Sequence, residues 1–137
     1  MSKRVCTGLM IGVFTLVCLA GMSSLQAQVE QTDITGVWDM EIDADGEYYY
    51  LTMTVKKGEK GLQAFVSEAN GMFTDITVSE LKYEGENLSF VIVVPTPPDG
   101  AERRVDFALV VSGESMSGTI NITDLQMIAD VTCTKQK

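Results

Sequence analysis

From Gly36 onward the chain repeats one unit, a short run of alternating apolar and polar side chains closed by a strong turn former. A period of two is the spacing of a strand with one face buried, and a helix cannot present it. The alternation predicts eight strands, over 36–43, 47–56, 61–69, 72–83, 87–94, 103–111, 115–123 and 127–135. Asp45-Gly46, Asn70-Gly71, Asp99-Gly100 and Ser112-Gly113 favour tight reversals between them. Only the link at 95–102, which holds all three prolines, is longer than a hairpin needs. Consecutive strands joined by hairpins pair antiparallel, in up-and-down order. A single apolar face throughout suits closure around a core, and closure also removes exposed edges. The expected fold is therefore all-β, an eight-stranded antiparallel up-and-down barrel.

The faces can be named. Trp38, Met40 and Ile42 oppose Asp39, Glu41 and Asp43 in the first strand. Tyr49, Leu51, Met53 and Val55 share a face in the second, and Val105, Phe107, Leu109 and Val111 in the sixth. Met116, Ile120 and Ile122 mark the seventh, and Met127, Ala129, Val131 and Cys133 the eighth. The fourth strand breaks phase between Val78 and Leu81, which predicts a bulge there.

Upstream of this cadence the composition changes. Lys3 and Arg4 precede an apolar run from Val5 to about Gly21, and Ser23, Ser24 and Ala27 supply small residues after it. This is the layout of a secretory signal, with cleavage expected after Ala27. The domains expected are a signal peptide over 1–27 and the barrel over 28–137, in a periplasmic or secreted protein. An uncleaved N-terminal anchor is the alternative reading of the apolar run. Cleavage removes two of the ten basic residues and none of the nineteen acidic ones, leaving eight against nineteen and a net charge of −11. That charge argues against nucleic acid and anionic membrane surfaces as partners. Of three cysteines only Cys133 would remain, so no internal disulfide supports the domain.

Gly36-Val37-Trp38 at the head of the first strand is a Gly-x-Trp signature. Leu88-Ser89-Phe90 and Met116-Ser117-Gly118-Thr119 repeat a strand–glycine–strand cadence. In these features the chain resembles the lipocalin-like branch of the calycin superfamily, in particular its small bacterial secreted members, over about residues 34–135. The resemblance implies a barrel whose closed end is plugged by Trp38, with Gly36 before it and the basic Lys135 of the last strand packed over the ring. It also implies small-molecule binding.

Catalysis is not expected. The sequence has no histidine, which removes Ser-His and Cys-His nucleophiles and His-ligated metals. Cys133 falls on the inward face and reads as a small buried hydrophobe. Carboxylates are plentiful, but they sit on the outer face of the first strand or in turns rather than facing each other in a cleft. The stretch Glu41-Ile42-Asp43-Ala44-Asp45-Gly46 begins like a calcium loop, yet its twelfth position is Thr52 and its flanks read as strands. A solvated acidic hairpin is the better account, and neither metal nor cofactor is expected. Tyr48 and Tyr50 fall on the outer face, where tyrosines commonly serve as cross-strand pair formers.

The meander also sorts the loops by end. Those at 44–46, 69–72, 95–102 and 123–127 share one rim, where Asp43, Asp45, Glu47, Glu68, Asp99, Glu102 and Asp124 outnumber Arg103 and Arg104. An apolar interior entered through this acidic mouth would take a small hydrophobic or amphipathic molecule, including one with a positive end. The lining expected is Met40, Ile42, Tyr49, Leu51 and Met53 from the first two strands. Phe90, Ile92, Phe107 and Leu109 follow from the fifth and sixth, and Met116, Ile120 and Met127 from the last two. Eight strands can equally enclose an interior filled by side chains. In that case the apolar outer faces of strands five and six (Val91, Val93, Ala108 and Val110) would offer a surface to a protein partner or a second copy.

Overall fold

The computed structural model describes residues 31–137. The leader expected over 1–27, and the first residues of the domain expected from Gln28, lie outside the described residues. What is described forms one antiparallel sheet of nine strands. In chain order they are β1 (Gly36–Ala44), β2 (Glu47–Gly58), β3 (Gly61–Glu68), β4 (Ile76–Thr77) and β5 (Ser79–Glu84). After them come β6 (Asn87–Thr96), β7 (Ala101–Ser112), β8 (Ser115–Ile122) and β9 (Met127–Lys135), with a 3-10 turn at Thr123–Leu125 before the last. The order β4-β3-β2-β1-β9-β8-β7-β6-β5 is up-and-down, with the first strand paired to the last. No helix among the described residues is long and apolar enough to cross a membrane.

Local chemistry sets the register. Asp45 (φ 56°) and Gly46 (φ 90°) form a two-residue turn in the left-handed region, whose twist suits a tight hairpin. The Asp43 carboxylate accepts the Gly46 N–H at 2.9 Å, and Ala44 pairs with Glu47 across the turn. From there the inward set of each strand faces that of its neighbour, as Trp38 opposite Met53, Met40 opposite Leu51 and opposite Cys133.

The strand expected over 72–83 is not one strand. Residues 69–75 fold over the rim, and the rest divides into β4, paired with β3, and β5, paired with β6. The phase break between Val78 and Leu81 is the physical cause. Glu80 takes φ 52°, and the register against β6 shifts between Ser79 and Lys82. The Val78 N–H donates to the Ala64 carbonyl at 3.0 Å, while Ser79 already faces Val91 of β6. The chain thus crosses from one edge of the sheet to the other within two residues, and this crossing nearly closes the barrel. The proline-bearing link is shorter than expected, because Pro95 and Thr96 still pair with Glu102 and Ala101.

One end is sealed. Trp38 is fully buried and its indole N–H donates to the Ile34 carbonyl at 2.9 Å. Ile34 is itself buried, so the residues just before the first strand supply the plug's outer layer. Tyr83 holds this segment by donating its hydroxyl to the Thr32 carbonyl at 2.7 Å. The Lys135 ammonium lies 5.8 Å from the Trp38 ring, within cation–π range. Gly36 sits beneath it at φ 127°, a backbone conformation that strains any other residue, and a Cβ there would also press on the Lys135 side chain, 3.1 Å from its Cε. The Gln136 N–H then donates to the Val37 carbonyl at 2.8 Å, tying the end of the chain to its first strand.

Candidate functional site

The interior is solid in one half and hollow in the other. Above the sealed end, Met40, Met53, Phe90, Leu109 and Met116 are buried in close contact with the core around Trp38. The Phe90 and Phe107 rings stack at 4.5 Å with 13° between their planes. Phe107 borders empty space and Phe90 does not, so this stack is the floor of the cavity. Above it lies a cavity of about 260 Å³, open at the rim. Its size falls just below the roughly 300–1,000 Å³ common for small-molecule pockets.

Of the twelve interior residues named from the alternation, seven line the cavity. These are Ile42, Tyr49 and Leu51 on one wall, Ile92 and Phe107 on the next, and Ile120 and Met127 on the third. The other five point inward but belong to the solid half. Large side chains meet there, so Met40, Met53, Phe90, Leu109 and Met116 are core and not lining. The upper wall draws on all four loops of the acidic rim, through Ala44, Met72, the Pro95–Pro98 segment and Leu125. Phe73 reaches into the same space because residues 69–75 lie over the mouth instead of continuing a strand.

The polar groups here are few and fixed. Glu68 ends the inward series Ala64, Val66, Glu68 of β3 and is only 9% exposed. Its Oε2 accepts the N–H groups of Asn70 (2.7 Å) and Met72 (3.1 Å), and its Oε1 accepts the Asn70 side-chain amide at 3.2 Å. Tyr49 donates its hydroxyl to Glu47 at 2.9 Å, and that hydrogen bond, together with burial, raises the phenol's pKa. Thr96, also buried, accepts from the Arg103 guanidinium at 2.9 Å.

The two arginines of the rim are already matched. Arg103 grips Asp99 through two hydrogen bonds at 2.7 and 2.9 Å, which hold the Asp99 carboxyl well below the usual carboxylate range. Arg104 sits between Glu80 (2.7 Å) and Asp106 (3.0 Å). It stands on β7 and Glu80 on β5, so their contact arches over β6, where Val91 is 6% exposed. The outer apolar surface expected on these strands therefore loses Val91, while Val93 (52%) and Val110 (46%) remain exposed.

Sequence reasoning placed Glu68 among the rim charges and missed its inward aim, although continuing the Ala64–Val66 alternation by one step would have found it. Cys133 lies in the core, and burial pushes its thiol up to about 12. No group of three or more potential metal ligands gathers among the described residues.

Fold and cavity together define a class: an antiparallel up-and-down β-barrel, sealed at one end and hollow and apolar at the other. The chain matches no protein-family model, no curated protein and no solved structure.

Proposed function

We propose that this protein is an exported, non-enzymatic barrel that binds a small hydrophobic or amphipathic molecule, in the manner of the lipocalin-like proteins its Gly36-Val37-Trp38 opening resembles. The observation that carries the reading is the cavity: about 260 Å³ of space walled by aliphatic and aromatic side chains and open to solvent at one rim. Apolar walls favour transfer of apolar surface out of water, at about 25 cal/mol per Å² removed. A core selected for stability alone would fill such a space, because each lost contact weakens packing. The polar groups of the wall are the Glu47 and Glu68 carboxylates, the Thr96 hydroxyl and the Tyr49 phenol, whose bond to Glu47 raises its pKa instead of activating it, and such groups suit binding. Export rests on the N-terminal basic, apolar and small-residue series.

Native mass spectrometry of the protein from an export-competent host, before and after organic extraction, tests the proposal. An extractable adduct on the monomer, with the leader absent from the measured mass, is the expected result. A bare chain that also leaves apolar probe dyes unbound would overturn it.

A further inference from the structure

The cavity is apolar, yet two carboxylates line it, Glu47 and Glu68, and Glu68 is the buried one. Glu68 is on the interior face by strand alternation, more than nine-tenths buried, and lines the same space as Ile92 and Phe107. Placing an ionised group there costs solvation that must be recovered from hydrogen bonds or an opposite charge. Three hydrogen bonds are present, and all come from the 70–72 turn. No lysine or arginine among the described residues forms an ion pair with it.

A carboxylate offers about four acceptor positions, two on each oxygen. The Asn70 and Met72 N–H groups fill both on Oε2, whereas Oε1 accepts only the Asn70 amide. One acceptor position is therefore open on a side chain that the turn holds rigid. The two arginines of the rim are committed elsewhere, Arg103 to Asp99 and Thr96, Arg104 to Glu80 and Asp106. Glu47 lines the same cavity and adds negative potential, held in place by the Tyr49 hydroxyl. Low-dielectric walls focus such a potential at the mouth.

We infer that the ligand is an ammonium-bearing amphiphile, its hydrocarbon tail on the Phe107 floor and its cationic head donating to Glu68. This deepens the proposed binding function and depends on it. An N–H donor to a carboxylate makes a charge-assisted bond, stronger than a neutral one, and here it forms away from water. An anionic or neutral head gains nothing comparable, and an anionic one would be repelled. At about 30 Å³ per water-sized group, the space holds on the order of nine heavy atoms, so an eight-carbon chain with one head group is a fair probe.

Calorimetric titration of the full chain with octylammonium, 1-octanol and octanoate in low salt separates the possibilities. Octylammonium is expected to bind about tenfold or more tighter than 1-octanol, with octanoate weakest. Raising the salt should narrow that ratio. The substitution Glu68→Gln should collapse it, because the amide keeps the shape and loses the charge. Equal affinity for octylammonium and 1-octanol in the unsubstituted protein would overturn the inference and leave the binding function standing. Binding of none of the three would overturn the binding function itself. The unsubstituted protein decides both points even where Glu68→Gln fails to fold.

Discussion

Gly118→Ala tests how tightly the barrel is drawn on its β7–β8 side. Gly118 lies on the inward face of β8, between Met116 and Ile120 and opposite Leu109 of β7. A Cβ at this position would overlap the Ala108 carbonyl oxygen and stand 2.9 Å from the Ala108 carbonyl carbon and the Leu109 Cα. All three are backbone atoms of the neighbouring strand, so no rotamer change relieves the contact and the strands must part. Losing two ladder hydrogen bonds costs about 1 kcal/mol each. The overpacking itself adds about 1–3 kcal/mol. The expected destabilisation is thus about 3–5 kcal/mol. At roughly 4–8 °C per kcal/mol for a domain of this size, the midpoint should fall by about 12 °C or more. Urea unfolding followed by circular dichroism measures the loss, with Ser117→Ala on the exposed face as the control, expected within about 0.5 kcal/mol of wild type. If Gly118→Ala cost under 1 kcal/mol at an unchanged m-value, the close approach of β7 and β8 would not exist as described.

The sealed end gives a second prediction. Trp38→Phe removes the indole donor and leaves the buried Ile34 carbonyl unpaired, at a cost of about 1–3 kcal/mol readable in the same assay. At the mouth, Ala44→Trp should occupy the cavity and abolish 1-octanol binding with little loss of stability, and calorimetry with a melting curve would show otherwise if the ring stays in solvent. Asp99 titrates below its unfolded value because Arg103 binds it, so its contribution is fully present above the unfolded pKa and is lost as pH falls through the folded one. Carbon-detected NMR should find Asp99 ionised when exposed carboxylates have already protonated, and a normal midpoint would refute the Arg103 contact. Cys133, buried and pushed up to about 12, should resist thiol reagents at pH 8 until denaturant is added.

Most of the strand pattern was legible because alternation reports which face is buried, and a buried face fixes register. Asp45-Gly46 placed the first hairpin for the same local reason that it folds, two residues tolerant of positive φ. The seam was half legible. The phase break at 78–81 pointed to an irregularity, but a bulge within a strand and a crossing between strands leave the same trace in a sequence. Only the partners, Ala64 on one side and Val91 on the other, distinguish them. The hollow was legible in its end but not its depth. Alternation says that Met53 and Leu51 both point inward, whereas the stacked Phe90 and Phe107 rings decide which of them meets a neighbour and which meets a void. Ile34 escaped notice because an isolated apolar residue in a polar stretch has no period to read.

The pairing of β1 with β9 gives the barrel a polarity that matters for handling it. β1 begins and β9 ends at the sealed pole, so the chain leaves its last strand there, with Gln136 still bonded to Val37. A nine-residue strand runs about 30 Å, or on the order of 20–25 Å of height once tilted by about 40°. A tag, fusion partner or surface linkage after Lys137 would grip the cup by its base, with the opening held on the order of 20 Å clear and facing away. Immobilised in that orientation, the protein would present every molecule's mouth to the solution.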